Sequence, residues 1–476
     1  MTGYRPPAGS IPTLDMPSLD GVRAVHLVGI GGAGMRNLAR LFLARGIAVS
    51  GSDLKDSEGV RALAARGASV RVGHDASAIG DPDAVVVSSA IAADNPEVVA
   101  ARERGIAVWA RQQAIAAFAR AHRSIAVAGT TGKTTTTSMI AAVLERGGLD
   151  PTYLIGGDLN ESGSGARAGG GDLFLFEADE SDGSFLLADP TIGVVTNVEV
   201  DHVDFYRGGE EELRAAFAEF CARCDRVVVC ADDAGAREAL DRSAADAITY
   251  GTRSGVDVRL EVDSAGPGGA RGTLTIDGVA TPLALRIDGA HNLLDAAAAV
   301  AVGALVGVSV DEAADTLATF GGVRRRFEHR GTARGADFFD DYAHVPTELA
   351  VTLGVARARG ARRVVAVFQP HRYSRTQALW RELGASLVAA DVIVVTDVYG
   401  ANQPPIPGVT GQLVVDGVRL ADPGRDVVYA PHADDAVAYL DEEVAAGDLV
   451  VTLGCGDIWM VGDAALARIG GEESHG

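Results

Sequence analysis

Lysine is almost missing from this chain: its 476 residues include two, Lys55 and Lys133, against 40 arginines. Cysteine is scarce as well, with four in all, which excludes a disulfide-stapled scaffold and fits reduced thiols in the cytoplasm. Cys221 and Cys224 form a lone C-x-x-C without a second pair or a histidine cluster close by, so they read as buried thiols and not as a metal site. No apolar run nears the ~20 residues that a membrane-spanning helix needs. The first twenty residues, rich in Pro, Gly and Ser, lack the charged start and apolar core of a signal peptide and read as a disordered tail, 1–20. A net charge of −22 leaves no general basic face for nucleic acid, although a nucleotide can still enter a locally basic pocket. With 47% hydrophobic and 22% charged residues, the chain has the composition of a globular enzyme, and its length predicts about three domains at ~150 residues each.

One of the two lysines stands in Gly129-Thr130-Thr131-Gly132-Lys133-Thr134. The apolar run Ser124–Ala128 precedes it and Thr135–Ile140 follows, a pattern of strand, glycine loop and helix start. Loop amides and the positive end of a helix can wrap a triphosphate. Lys133 can then reach the terminal phosphates and the Thr134 hydroxyl can ligate Mg²⁺. Val127 occupies the place of the first glycine in G-x-x-x-x-G-K-[ST], and a Gly/Thr turn that merely caps a helix has the same appearance.

Nearer the N-terminus, the strand pattern of residues 22–30 runs into Gly29-Ile30-Gly31-Gly32-Ala33-Gly34, and a second strand ends at Asp53. This is G-x-G-x-x-G with an acid about 20 positions on, a dinucleotide-type fingerprint. Alternating strands and helices predict one α/β unit over 21–121, a second over 122–323 and a third over 324–476. In the second unit apolar strands lead to Glu177 and to Asn197 through His202. The period changes to alternation over 255–288, predicting a small antiparallel sheet, and Gly163–Gly171 reads as a mobile loop. In the third unit strands end at Asp340-Asp341-Tyr342-Ala343-His344 and at Gln369-Pro370-His371-Arg372-Tyr373-Ser374-Arg375. Open parallel sheets bind ligands beyond the carboxyl ends of their strands, which is where these clusters fall.

If the central sheet is parallel, Glu177 and His202 project toward the triphosphate and can hold Mg²⁺. Taken singly, a helix N-terminal charge and a loop histidine explain them equally well. Arg372 and Arg375 can fork a carboxylate or phosphate, and a solvated loop is the plainer account of two arginines. The glycine loop at 29–34 admits NAD, FAD or another pyrophosphate. A nicotinamide-dependent dehydrogenase is therefore one alternative, but it leaves the Lys133 loop without a purpose, and a non-catalytic nucleotide-binding regulator is another.

Taken together these motifs resemble the Mur ligases of peptidoglycan synthesis. The resemblance runs from Val25 to about Gly462 and rests on Gly29–Met35, Gly129–Thr137, Glu177–Asp182, Thr196–His202, His291-Asn292, Arg325-Arg326-Phe327, Asp340–Tyr342, Gln369–Tyr373 and Pro405–Gly408. It implies three α/β domains: an N-terminal Rossmann-like domain for a UDP-sugar, a central P-loop ATP-binding domain with the small antiparallel sheet, and a C-terminal Rossmann-like domain for an amino acid. It implies the alanine-adding branch, in which ATP converts the carboxylate of UDP-N-acetylmuramate to an acyl phosphate that L-alanine attacks, releasing ADP and phosphate. A branch that ligates intact murein tripeptide is similar.

By resemblance Gly29, Gly31, Gly32, Ala33, Gly34, Asp53, Ser88 and Asn197 serve the UDP-sugar. Gly129, Thr130, Thr131, Gly132, Lys133, Thr134, Thr135, His291, Asn292, Arg326 and Asp341 serve ATP. Tyr342, His344, Arg372 and Arg375 surround the amino acid, and Thr134, Glu177 and His202 hold Mg²⁺ (or Mn²⁺). Lys133, His202, His344, Arg372 and Arg375 carry the chemistry, with His202 or His344 taking the amine proton. The implied partners are the two substrates, with no nucleic acid and no membrane, in a cytoplasmic monomer or weak homodimer. Four positions depart from the family pattern: Thr131 replaces a histidine, Arg36 and Arg324 replace small residues, and Val345 replaces a second histidine. No lysine but Lys133 lies in the central unit, so the carbamylated lysine of later-acting relatives has no counterpart.

Overall fold

The computed structural model describes residues 17–88, 91–156, 165–201, 205–401 and 403–473. They form three sheets. The first is a five-stranded parallel sheet in the spatial order Ser69–Val72, Ala48–Asp53, Ala24–Val28, Ala84–Val87, Ala107–Ala110. The order in which strands are added reverses between Ala24–Val28 and Ala84–Val87, so the crevice beyond their carboxyl ends is the switch point where such sheets take ligands.

The second sheet has ten strands. Its parallel centre runs Ala247–Gly251, Arg226–Cys230, Ile192–Val195, Arg123–Ala128, Leu173–Glu177, Thr152–Leu154. The alternation expected over 255–288 forms Val258–Ser264, Arg271–Ile276 and Val279–Ala284, paired antiparallel with one another. They do not stand apart: Val258 and Arg259 pair in parallel with Tyr250 and Gly251, so they extend the main sheet. The glycine-rich stretch read as a loop contributes a short edge strand, Ala166–Arg167, against Tyr153 and Leu154. Residues 157–164 are outside the described residues, as is most of the expected N-terminal tail.

The third sheet runs Glu328–Ala333, Ala336–Asp341, Asp448–Leu453, Arg363–Phe368, Val392–Val395, Asp426–Tyr429, parallel except for its first strand. Among the described residues no helix is long and apolar enough to cross a membrane.

Apolar packing joins the first two units tightly. The helix Arg111–Arg120 buries Ala114 through Ala119, and its Phe118 ring touches Phe42 on one side (5.2 Å between centroids) and Phe174 on the other (5.8 Å). One continuous core therefore spans the five-stranded sheet and a face of the ten-stranded sheet. The third sheet keeps its own cores, one per face, and among the described residues it meets the central unit through polar contacts. This division makes the third unit the one free to move as a body.

The phosphate-loop helix, Lys133–Arg146, is buried on nearly every side. Its four consecutive threonines are poor helix formers. Two of the hydroxyls are satisfied internally: Thr137 donates to the Lys133 carbonyl (2.7 Å) and Thr136 to Asp295 Oδ1 (2.8 Å) on the neighbouring helix Ala290–Leu305. The alanine run Ala296–Ala299 on that neighbour lets the two helices lie close.

Candidate active site

Gly129–Gly132 connects the strand Arg123–Ala128 to the helix and is held open by the segment after Ile192–Val195. A Cβ at Gly129 would collide with Thr196 Oγ1, so glycine is required there. Asn197 is the principal strut: its Oδ1 accepts the Thr131 amide (2.9 Å), and its Nδ2 donates to the Thr131 hydroxyl (2.9 Å) and carbonyl (3.1 Å). Asn197, grouped above with the UDP-sugar residues, thus braces the phosphate loop. Thr131 receives a neutral amide, and the cationic partner a histidine would provide is replaced by a plain hydroxyl. Thr130 is tied to Glu199 in the same way.

Lys133 opens the helix with its ammonium turned back over the loop, donating to the Gly129 and Thr130 carbonyls and to Glu180 (2.8 Å). Burial works against that charge, but Glu180, Asp179 and Glu177 outweigh it and hold the lysine above its ordinary pKa. Glu180 was not among the expected residues, although it lies within the Glu177–Asp182 motif. Thr134 is within hydrogen-bonding reach of Glu177, whose carboxyl also accepts the Gly156 amide (2.7 Å). Burial pushes the Glu177 carboxyl up from its usual value. His202 lies outside the described residues, and among those described no three His, Cys, Asp or Glu side chains form a metal-holding group.

Two cavities meet at this loop. One, about 340 Å³, is largely apolar and is lined by Thr135, His291, Asn292, Val351 and Val355. The other, about 750 Å³, is polar and is lined by Lys133, Thr134, Glu177, Tyr342, His344, Arg372 and Arg375. Thr131, Gly132 and Arg326 belong to both. A flat base fits the first with its phosphates crossing the loop into the second. Asn292 is buried at the start of its helix and donates to the Asp288 carbonyl (2.6 Å). Asp341 also lines the first cavity, and it accepts the Phe327 (2.7 Å) and Ala343 (2.8 Å) amides and so fixes the turn that presents Arg326. Arg326 in turn approaches the Thr134 hydroxyl (3.5 Å). Arg325 and Phe327, either side of it, have φ of 60° and 46°, strain that the surrounding bonds hold in place.

On the third sheet, His344 is fixed by two acceptors. Its Nδ1 lies 3.0 Å from the Tyr342 carbonyl and 3.1 Å from Glu348 Oε2. Both partners only accept, so Nδ1 carries a hydrogen and donates it to them. Glu348 was not anticipated, although it lies only four positions after His344. Burial opposes its charge, yet His344 and Arg326 hold its carboxyl down at about 2. Val345 is buried at the N-cap of the helix Pro346–Ala358, so no polar role survives at that position. Arg372, with φ of 64°, caps the helix Tyr373–Leu387. Arg375 is buried and already forked on a protein carboxylate: Nε and Nη2 donate to Asp201 at 3.1 and 3.0 Å, across to the central unit. Asp201 was not among the expected site residues, although it lies within the Thr196–His202 motif.

The glycine loop of the first unit lies on the crevice expected of it. The Gly29 amide donates to the Ser52 carbonyl (2.9 Å) and the Gly31 amide to Asp53 Oδ2 (2.9 Å). A Cβ on Gly31 would stand 2.7 Å from that oxygen. Gly32, Ala33 and Gly34 begin the helix Ala33–Ala44, which has neither a side-chain cap nor an acid in its first turn. Its amides are thus open to an anion. Ser88 follows Ala84–Val87 on the far side of the crevice. Arg36 packs over Gly59 and lines the polar chamber, as does the exposed Arg324.

Three α/β units, a phosphate loop and two further ligand clefts opening on one chamber define a nucleotide-dependent enzyme that brings several substrates together. Family models match along the chain: "Mur ligase family, catalytic domain" at 24–123, "Mur ligase middle domain" at 127–303 and "Mur ligase, glutamate ligase domain" at 325–456. The chain belongs to the Mur ligase family. It is 45% identical to the UDP-N-acetylmuramate–L-alanine ligase of Paenarthrobacter aurescens, over 96% of this chain and 100% of that one. With the enzyme of the same name from Saccharopolyspora erythraea it shares 46% identity over 94% and 93%. The crystal structure of UDP-N-acetylmuramate-alanine ligase from Thermotoga maritima superposes with a TM-score of 0.78 at 28% identity, covering 95% of this chain and 100% of that one.

Proposed function

We propose that this Mur ligase joins L-alanine to UDP-N-acetylmuramate in peptidoglycan synthesis, cleaving ATP to ADP and phosphate through an acyl-phosphate intermediate. The observation that carries the substrate assignment is the similarity, at 45–46% identity along almost the whole chain, to ligases of that name. The geometry supports the mechanism. A carboxylate resists attack by an amine until it is phosphorylated, and phosphoryl transfer between two anions depends on positioning and on charge neutralisation. Lys133, the amides of Gly129–Thr135 and Arg326 supply both at the junction of the two cavities. The adenine enters the apolar cavity between Asn292, His291 and the third unit.

Mg²⁺, or Mn²⁺ in its place, fits Thr134 and Glu177: a buried carboxyl beside a hydroxyl at the loop gains from a cation. His202 would be the third group. When bound, the ion neutralises charge on the transferring phosphate. The UDP-sugar lies with its pyrophosphate on Gly29, Gly31 and the helix start at Gly32–Gly34, near Asp53 and Ser88. Its lactyl carboxylate extends into the polar chamber. L-Alanine is held by Arg372 beside Tyr342, and Nε2 of His344 takes the amine proton. Glu348 holds Nδ1–H and stabilises the charge the ring acquires, the role a buried carboxylate plays behind a catalytic imidazole. Closure of the third unit excludes water from the acyl phosphate. We assign the reaction to the cytoplasm and the enzyme to a monomer or weak homodimer.

Phosphate release measured with UDP-N-acetylmuramate and each common amino acid, alongside murein tripeptide, tests this reading. L-Alanine should give the highest kcat/KM. Preference for the tripeptide, or release independent of the UDP-sugar, would refute it.

A further inference from the structure

Below the glycine loop of the first unit lies a buried carboxylate that the mechanism does not use. Glu97 is fully enclosed in the first turn of the helix Pro96–Glu103, where Asn95 caps its amide (3.0 Å). Its Oε2 accepts the Ser52 hydroxyl at 2.5 Å and its Oε1 accepts the Asp75 amide at 3.2 Å. Two imidazoles face the same carboxylate: His26 Nε2 at 3.5 Å and His74 Nδ1 at 3.4 Å. His26 is 1% exposed, and its Nε2 makes no other hydrogen bond among the described residues. A carboxylate in such a place costs several kcal/mol unless it is fully bonded, and apolar packing would fill the space more cheaply.

Its partners give the charge a purpose. Ser52 and Asp53 are the residues from which the glycine loop hangs: the Ser52 carbonyl takes the Gly29 (2.9 Å) and Ile30 (3.0 Å) amides, and Asp53 takes that of Gly31. Glu97 reaches Ser52 from the element that follows Ala84–Val87, on the opposite side of the switch-point crevice. It therefore spans the crevice beneath the ligand and ties its two walls together.

We propose that Glu97 is a positioning residue for the UDP-sugar, setting the width of the crevice and the height of the glycine loop through Ser52. The proposal rests on the reading that the pyrophosphate occupies that loop. Glutamine at 97 fills the same space but can accept from only one of the Ser52 hydroxyl and the Asp75 amide, because its second head atom donates. Serine 52 to alanine removes the link from the other end, with little change in volume.

UDP alone is titrated calorimetrically into the full-length wild type, Glu97→Gln and Ser52→Ala, and KM is measured for all three substrates. The Kd for UDP and the KM for the UDP-sugar should rise roughly tenfold, the loss of one hydrogen bond to a charged group. The KM values for ATP and L-alanine should stay within about twofold, and thermal melts should show both variants folded. An unchanged Kd for UDP in either folded variant overturns the proposal, as does an equal rise in all three KM values. Should Glu97→Gln fail to fold, Ser52→Ala decides alone. Wild type that does not bind UDP would instead sink the assignment of the loop itself, and the proposal with it.

Discussion

Asparagine in place of Asp201 should release the third unit from the central one. The side chains of Asp201 and Arg375 are 8% and 7% exposed and meet through two hydrogen bonds of 3.0 and 3.1 Å. Other side-chain ties across this boundary among the described residues include the Thr347–Glu199 hydrogen bond (2.5 Å), the Arg359–Asp288 ion pair and the long Arg326–Thr134 contact (3.5 Å). The apolar cores on either side are separate. Removing one member of a buried pair strands the other charge and costs about 3–5 kcal/mol. Opening restores water to the guanidinium, so the loss falls on the closed form alone. A shift of this size moves a closure equilibrium by roughly two to four orders of magnitude.

Small-angle scattering of the ligand-free protein should therefore give a larger radius of gyration for Asp201→Asn than for wild type, and kcat should fall because closure assembles the chamber. Asp189→Asn, which breaks an exposed pair with Arg223, should change neither. The double variant Asp201→Asn/Arg375→Gln should recover part of the closed form, since no charge is then left buried alone. Scattering and kcat both unchanged in Asp201→Asn would refute the reasoning.

Lys133→Ala should cut L-alanine-dependent phosphate release by on the order of a thousandfold or more while the circular dichroism spectrum is retained; near-normal turnover would remove the loop from the mechanism. Arg375→Ala should raise the KM for L-alanine through loss of closure and of the neighbouring Arg372 geometry, and a rise confined to the KM for ATP would contradict this. Glu348→Gln should lower kcat by roughly ten- to a hundredfold with little change in the KM for ATP, because the amide orients His344 without stabilising its charge; an unchanged pH–rate profile would argue against the pair. Asp295 bears on stability. Burial raises its carboxyl from 3.8 to about 7. A folded-state value above the unfolded one favours the fold below pH 3.8, and that advantage is lost as pH rises through about 7. Denaturant melts should thus find Asp295→Asn gaining on wild type by up to about 4 kcal/mol between pH 4 and 7, and a difference independent of pH would show that the carboxyl is not neutral when buried.

Local signals were readable in the chain. The loop Gly129–Thr134, the glycine loop at 29–34 and the polar strand ends at Glu177, Asp341 and Gln369 each depend on a few consecutive residues whose spacing fixes their geometry. What escaped involves partners far apart in sequence. Asp201 and Arg375 are 174 positions apart, and nothing near either one announces a bond. Arg375 read as a free fork for a substrate because its protein partner was invisible. The bracing role of Asn197 was hidden for a similar reason: its contacts go to Thr131, 66 positions away across adjacent strands. The continuity of the antiparallel strands with the central sheet rests on a two-residue parallel pairing at Tyr250–Val258 and Gly251–Arg259, too short to leave a periodic trace. Glu180 stood inside a motif already singled out and Glu348 close to His344, but their roles follow from the groups they face and not from their spacing.

The central claim is that the phosphate loop turns a carboxylate into an acyl phosphate before the amine arrives. UDP-N-acetylmuramate labelled with ¹⁸O in its lactyl carboxylate, turned over with ATP and L-alanine, tests it directly by mass spectrometry of the released phosphate. One labelled oxygen should appear in the phosphate for each amide formed. Unlabelled phosphate at full turnover would contradict the account.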